Sequence, residues 1–169
     1  MAERALTHSI TYSSNNRDFD RRDYSEDEKK ALLEYMAAFK PNAVAGLVFD
    51  VVTQEWQKDE NLGYTDGTFI WASQDTYHVD KYNAAVTEEF LASAIEHFKA
   101  KRAWLKEELT QIVRENLEKT NARRSWAKEN GLLQPGLDSN RALFADLDQE
   151  YRENIEKLKM RYRELWGEK

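Results

Sequence analysis

The fold of the C-terminal half is decided by residues 88–130, which read EEFLASAIEHFKAKRAWLKEELTQIVRENLEKTNARRSWAKEN. The stretch contains no glycine or proline, and Thr87 before it is a suitable N-cap residue. Its long side chains recur at alternating steps of four and three residues, which is the spacing of a packed helix seam. The seam consists of Leu91, Ile95, Phe98, Arg102, Leu105, Leu109, Ile112 and Asn116. The pattern allows one helix of about 42 residues that stops at Gly131, although Thr120 and Asn121 are weak helix formers at which it could bend or break.

A second helix is predicted after residues 132–139, which read LLQPGLDS and contain a Pro-Gly turn. Asp138 or Ser139 can cap it, and the same spacing defines its seam. That seam consists of Phe144, Leu147, Tyr151, Ile155, Leu158, Tyr162 and Leu165. Because the connection is short, we expect the two helices to pack antiparallel as a hairpin. The second helix has only about 27 residues, so the first should extend past it before about Leu105 and dock there on the N-terminal half. The apolar residues of this overhang are Phe90, Leu91, Ile95, Phe98 and Trp104.

The start of the chain gives weaker signals. Residues 1–24 are polar and predict an irregular arm, with one short strand at residues 9–13. Ser25 followed by Glu28 forms a capping-box pattern, which predicts a helix that ends before Pro41.

Residues 43–56, which read AVAGLVFDVVTQEW, are ambiguous between a buried strand and a buried helix. Their valines favour a strand, whereas their length, their alanines and the cap that Asn42 could provide allow a helix, which we favour slightly. After them the pattern predicts a polar loop at residues 58–67, a short strand at residues 68–71 and a short helix over Ser73–Tyr82.

The expected fold class is therefore mainly α, with an α+β head that has at most a short β element and a long antiparallel helical hairpin in the C-terminal half. A chain of 169 residues can bury one core without disulfides or metals. We expect a single folding unit in three parts: an irregular arm at residues 1–24, a small acidic, aromatic-rich head at residues 25–87, and the hairpin at residues 88–169, whose first turns pack on the head.

Composition excludes several classes of protein. The chain has no cysteine, which rules out disulfides, thiolate metal sites and a thiol nucleophile and favours a cytoplasmic protein. It has no apolar run long enough for a signal peptide or a membrane span. Residues 1–87 carry 15 acidic against 9 basic side chains, whereas residues 88–169 carry 16 of each. The absence of a basic half disfavours direct nucleic-acid binding, and the acidic front half suits a protein partner with a basic surface.

Catalytic signals are weak. His8, His78 and His97 form no spaced ligand motif, so no metal is predicted. His78 is the best acid-base candidate, because Asp75 lies three residues before it and would share its helix face. A histidine held by a neighbouring carboxylate is more often structural than catalytic. The chain also lacks a GxSxG motif and a glycine-rich phosphate loop, so no cofactor is predicted.

Two groups of residues are candidates for contact with a partner protein. The first lies in the aromatic segment of the head and consists of Asp59, Glu60, Tyr64, Trp71 and Tyr77. Aromatic side chains with a polar end anchor many protein interfaces, although most rings here could instead form the core of the head. The second lies near the tip of the hairpin, beside Lys119 and Lys128, and consists of Arg123, Arg124 and Trp126.

These observations favour a non-enzymatic protein-binding module, such as a small bacterial or phage inhibitor, immunity protein or anti-defence protein that blocks a partner protein. One alternative is a helical assembly protein that forms a homo-oligomer through the hairpin. Another is a small enzyme that uses His78 with a carboxylate.

Overall fold

The computed structural model describes residues 7–10, 19–133 and 140–166. They form two compact units, Met1–Ala100 and Lys101–Lys169. The elements in chain order are β1 (Thr7–His8), α1 (Glu26–Ala37), β2 (Ala43–Asp50), β3 (Glu55–Thr65), β4 (Phe69–Ala72), α2 (Ser73–Tyr82), α3 (Glu88–Glu129) and α4 (Arg141–Trp166). The first turns of α3 belong to the first unit, and the rest of α3 belongs with α4 to the second.

The expected fold class is wrong in its β content. Helix predominates at 62% of the structure, but 21% is strand, and the strands form a four-stranded mixed sheet rather than one short β element. The error lies in residues 43–56, for which we slightly favoured a helix over a strand, and in the polar loop expected at residues 58–67. Residues 43–65 form instead the β2–β3 hairpin, in which β2 and β3 pair antiparallel from Ala43 opposite Gly63 to Asp50 opposite Glu55.

The prediction failed at both strands of this hairpin, and each failure has a physical reason. In β2, the valines around Gly46 favour an extended backbone, and Gly46 itself has a φ of 103°, which a helix cannot accommodate. In β3, the first six residues are mostly polar and mostly exposed, and such a segment resembles a loop in the sequence. What makes it a strand is backbone pairing with β2 along the hairpin and, at Gly63–Thr65 only, with β4 on the other side.

The sheet has the strand order β1-β4-β3-β2. β4 runs parallel to β1 and antiparallel to β3. β1 begins earlier than the strand expected at residues 9–13; Ile10 forms a single bridge to Val86, and residues 11–13 lie outside the described part of the chain. β2 is therefore one edge of the sheet, and its pairing with β3 is irregular between Val44 and Phe49.

The core of the first unit forms where α1, α2 and the start of α3 meet the sheet. α1 begins as predicted with a capping box, because Ser25 and Glu28 bond reciprocally through side chain and backbone. Trp71 is buried at the centre, where its indole nitrogen donates to the Met36 carbonyl oxygen at 3.2 Å. The other large members of the core are Phe19, Leu32, Tyr35, Phe69, Val79, Phe90 and Leu91.

In the second unit, the predicted long helix is continuous. α3 has 42 residues and passes Thr120 and Asn121 without a break. Three ion pairs between α3 and α4 establish their antiparallel register; they are Glu108–Arg161, Lys119–Glu150 and Arg123–Asp146. Equal steps forward along α3 and backward along α4 connect one pair to the next. The predicted cap of α4 at Asp138 or Ser139 lies outside the described residues.

The predicted seam is correct in part. Leu105, Ile112 and Asn116 are partly buried on α3, and on α4 every predicted seam residue from Phe144 to Tyr162 is buried or partly buried. Arg102 is exposed and Leu109 is 41% exposed, so both are wrong, as is Leu165 at the end of α4. A straight helix of 3.6 residues per turn drifts away from a strict heptad pattern, which moves the packing face from Leu109 toward Glu108.

Candidate partner-binding surface

The β2–β3 hairpin presents apolar side chains to solvent. Val44 is 69% exposed and Trp56 is 68% exposed, and Leu47 and Val52 are also among the exposed apolar residues of the first unit. β2 is an edge strand, so among the described residues no strand pairs with the backbone groups on its free side. Its first part, from Ala43 to Leu47, is exposed at every residue.

Acidic side chains are exposed on the same hairpin. Glu55, Asp59 and Glu60 are all exposed on β3, with Lys58 as the single basic residue among them. The exposed charge of β3 is therefore negative. Protein interfaces commonly combine exposed apolar and charged side chains. We call this surface, comprising Val44, Leu47, Val52, Trp56 and the three acidic residues, the acidic hairpin surface.

Trp56 is held in place by a cross-strand partner. Phe49 lies opposite it in the register of β2 and β3, and the two ring centroids are 4.9 Å apart. Cross-strand aromatic pairs stabilise a hairpin by a few tenths to about 1 kcal/mol and restrict the rotation of both rings. The contact holds the exposed indole against the Phe49 ring.

The turn end of the hairpin is anchored by a buried carboxylate, Asp50. One oxygen accepts from the Tyr77 hydroxyl at 2.7 Å, the Tyr82 hydroxyl at 2.6 Å and the Lys81 ammonium at 3.1 Å. The other accepts from the backbone N–H groups of Val52 and Thr53 in the turn. Burial alone would raise the pKa of Asp50, but these donors outweigh it and hold the pKa far below its usual range. The carboxylate is therefore ionised and ties the hairpin turn to α2.

His78 lies beside this anchor and is completely buried. Its Nε2 atom accepts from the Val51 N–H at 3.4 Å, and its ring packs against Phe19 and Tyr77. Burial lowers its pKa to about 4, so the imidazole is neutral at physiological pH. Asp75, the expected partner of His78, accepts from the Ala72 N–H at the start of α2. A buried ring with Nε2 engaged by the backbone has the features of a structural histidine.

The first predicted group of partner-binding residues is divided by the structure. Asp59 and Glu60 are exposed on the acidic hairpin surface. Trp71 is in the core, and Tyr64 is half-buried and stacked on it with centroids 5.9 Å apart. Tyr77 is also half-buried, with its hydroxyl on Asp50. Only the acidic members of the group are freely accessible, because the rings are used for packing.

The second predicted group is not a single patch. Arg123 donates two hydrogen bonds to Asp146 and one to the Leu143 carbonyl oxygen, so its guanidinium is engaged between α3 and α4. Arg124 and Trp126 are both exposed. Two residues along a helix correspond to a rotation of about 200°, so these two side chains leave α3 on opposite sides.

The sequence analysis did not predict that Val44, Leu47 and Trp56 are exposed. An uncharged AVAGLVF segment is typical of a buried element. The one usable signal was Gly46, which interrupts the run and is typical of a bulged edge strand.

A shallow cleft of about 550 Å³ lies between α1 and the end of α2. Lys29 enters it and donates to the Asp80 carbonyl oxygen and to Asn83 Oδ1 at 2.9 Å, so its ammonium is already engaged. Among residues 7–10, 19–133 and 140–166, no group of three or more histidine or acidic side chains is arranged to hold a metal ion. Within the same ranges, no helix combines the length and the apolar character needed to cross a membrane.

Comparisons with known proteins give no relative. No family model, no curated protein and no solved structure matches this chain.

Proposed function

We propose that the protein is a non-enzymatic protein-binding module that uses the acidic hairpin surface to occupy a basic, partly apolar surface of a partner protein. Such a role fits a small inhibitor, immunity protein or anti-defence protein of bacterial or phage type. The observation that carries the proposal is the exposure of Trp56 and Val44 on an edge hairpin that also exposes three acidic side chains.

The apolar residues support binding by desolvation. A tryptophan that is two-thirds exposed yet held by Phe49 is a typical interface hot spot, since it can bury a large area with little loss of side-chain freedom. The open edge of β2 adds a second means of recognition, because an extended segment of a partner can pair with its backbone.

The acidic residues support selection of the partner. Glu55, Asp59 and Glu60 would steer a basic surface toward the hairpin and repel a phosphate backbone, so a protein partner is favoured over nucleic acid. The buried anchor at Asp50 supports the proposal in another way, because it fixes the turn on which Val52 lies.

The proposal is tested by site-specific photo-crosslinking followed by binding kinetics. A photoreactive phenylalanine analogue at position 56 should crosslink the full-length chain to one protein in a lysate of the source organism. The same analogue at Met160, an exposed apolar residue of α4, is the matched control. The crosslinked protein is then purified for surface plasmon resonance.

Trp56→Ala should weaken binding to that protein by about thirtyfold or more, mainly through faster dissociation. Asp59→Lys with Glu60→Lys should mainly slow association, and the effect should shrink at high salt. The charge-matched control is the reversal of two exposed glutamates of α3, Glu107 and Glu118. Unchanged dissociation for Trp56→Ala, or an equal effect of the control reversal, would refute the assignment of this surface.

The alternative of a homo-oligomer is distinguished by native mass spectrometry. A monomeric mass at micromolar concentration favours the binding module, whereas a stable oligomer that Trp56→Ala does not dissociate favours assembly through another surface.

A further inference from the structure

The second unit has a basic face that the net charge of its sequence does not reveal. Residues 88–169 are neutral in sum, but the helix positions and the register of α3 and α4 separate the charges. The ion pairs of Glu108, Lys119 and Arg123 with α4 run along one edge of the helix pair. Each residue turns about 100° around a helix axis, which assigns the remaining side chains to that edge or to the opposite one.

The opposite edge is basic. Eight exposed cations lie on it: Arg102, Lys106, Arg124 and Lys128 of α3, and Arg141, Arg152, Lys159 and Arg163 of α4. Its acidic residues are Asp148 and Glu156, both on α4, and Glu156 pairs with Lys159 at 2.6 Å. We call this surface the basic face.

An apolar row runs along the basic face. Leu109, Val113 and Leu117 follow one another at steps of four residues on α3, and they are 41%, 46% and 57% exposed. α4 covers the neighbouring positions Leu105 and Ile112 but not this row. The apolar arc of α3 is thus wider than one partner helix covers.

We propose that the basic face is a docking site for an acidic amphipathic helix of a partner protein. That helix would lie in the groove between α3 and α4 and complete a three-helix bundle. A row at steps of four residues matches the apolar stripe of a helix, and the flanking cations match glutamates beside that stripe. From Lys106 to Arg124 the row and its flanks extend about 27 Å, which corresponds to a helix of about 18 residues.

The chemistry of the face favours a helix over the other anionic partners. A nucleic-acid backbone would pair with the cations but would give Leu109, Val113 and Leu117 no apolar contact. An anionic bilayer requires a broad apolar face, usually with aromatic anchors, whereas this row is one residue wide and aliphatic. The basic face is opposite in charge to the acidic hairpin surface. It would therefore bind a different partner from the one proposed above.

The probe for the test is a synthetic peptide of about three heptads with leucine at a and d and glutamate at e and g. Repulsion between its own glutamates keeps it from pairing with itself, and a peptide with lysine at e and g is the control. Fluorescence anisotropy with the full-length protein should show saturable binding of the acidic peptide, weaker at high salt, and no binding of the basic one.

Two pairs of variants locate the site. Lys106→Glu with Arg152→Glu should reduce affinity at least tenfold, whereas reversal of two exposed cations off the face, Arg114 and Lys157, should change it less than twofold. Leu117→Ser should reduce affinity about tenfold, and Met160→Ser, at a residue that is 55% exposed on the outer side of α4, should leave it unchanged. Circular dichroism confirms that each variant keeps its helices.

Three outcomes would overturn the inference. The first is no binding of the acidic peptide at concentrations up to about 1 mM. The second is an equal loss for the variants on and off the face. The third is binding to vesicles of about 30% phosphatidylserine, or to a duplex of about 20 base pairs, by a protein that ignores the peptide.

Discussion

Replacement of Asp50 by asparagine tests the anchor that holds the β2–β3 hairpin on α2. The carboxylate accepts five hydrogen bonds, three on one oxygen and two on the other. Asparagine keeps only one oxygen. If that oxygen faces the turn, the new amide faces the Lys81 ammonium and the hydroxyls of Tyr77 and Tyr82; if it faces α2, the N–H groups of the turn lose their acceptor.

The magnitude follows from burial and charge. Asp50 has no solvent exposure, so each donor that it abandons stays at least partly out of water, at a cost of about 1–3 kcal/mol. Removing one partner of a buried ion pair costs about 3–5 kcal/mol. Lys81 is 47% exposed and recovers part of its hydration, which puts the expected loss near the lower end of that range.

The assay is urea unfolding at neutral pH followed by tryptophan fluorescence. With an m-value of about 1–3 kcal/mol per molar urea, the midpoint should fall by about 1 M or more. Asp59→Asn, at an exposed carboxylate of the same hairpin, is the control and should cost less than about 0.5 kcal/mol. A loss below about 1 kcal/mol for Asp50→Asn, or equal losses for the two variants, would show that the network does not anchor the hairpin.

Two further predictions concern stability. Because the pKa of His78 is about 4 in the folded protein against an ordinary 6.5, the unfolded chain binds a proton between these values that the folded chain does not, and the free energy of unfolding should fall by up to about 3 kcal/mol as pH is lowered from 6.5 to 4. His78→Gln should flatten this dependence in urea titrations between pH 6.5 and about 5, where carboxyl groups remain largely ionised; His8→Gln, at the exposed histidine of β1, is the control. In the helical hairpin, Ile112→Ala should cost about 1–3 kcal/mol in thermal unfolding and Leu109→Ala less than about 1 kcal/mol; the reverse order would place α4 on the wrong face of α3.

Elements defined by interactions between nearby residues were predicted correctly, whereas elements that depend on distant segments were not. α1 was predictable because its capping box is formed by two residues three positions apart. α3 was predictable because no glycine or proline interrupts it and its apolar spacing is sustained. β3 was not, because its polar side chains resemble a loop and its backbone bonds depend on strands before and after it in the chain.

The candidate surfaces were less predictable than the elements. Asp59 and Glu60 are exposed, which is the default for charged residues, and their predicted contact with a partner stays a prediction. Trp71 and Trp56 are both tryptophans of the same aromatic segment, but one is buried and the other is exposed. Trp71 is in the core because β4 is central in the sheet, and Trp56 is exposed because it lies where β3 is paired with the edge strand.

The sequence by itself determined the helices, the lack of thiol chemistry and the acidity of the first half, because each depends on composition or on neighbours a few residues apart. Only the tertiary structure decided which apolar residues are covered. It placed β2 at a sheet edge, buried His78 beside Asp50 and fixed the register that collects the cations of α3 and α4 on one face. Burial depends on which distant segments approach a side chain, and that information is not contained in the spacing of residues along one element.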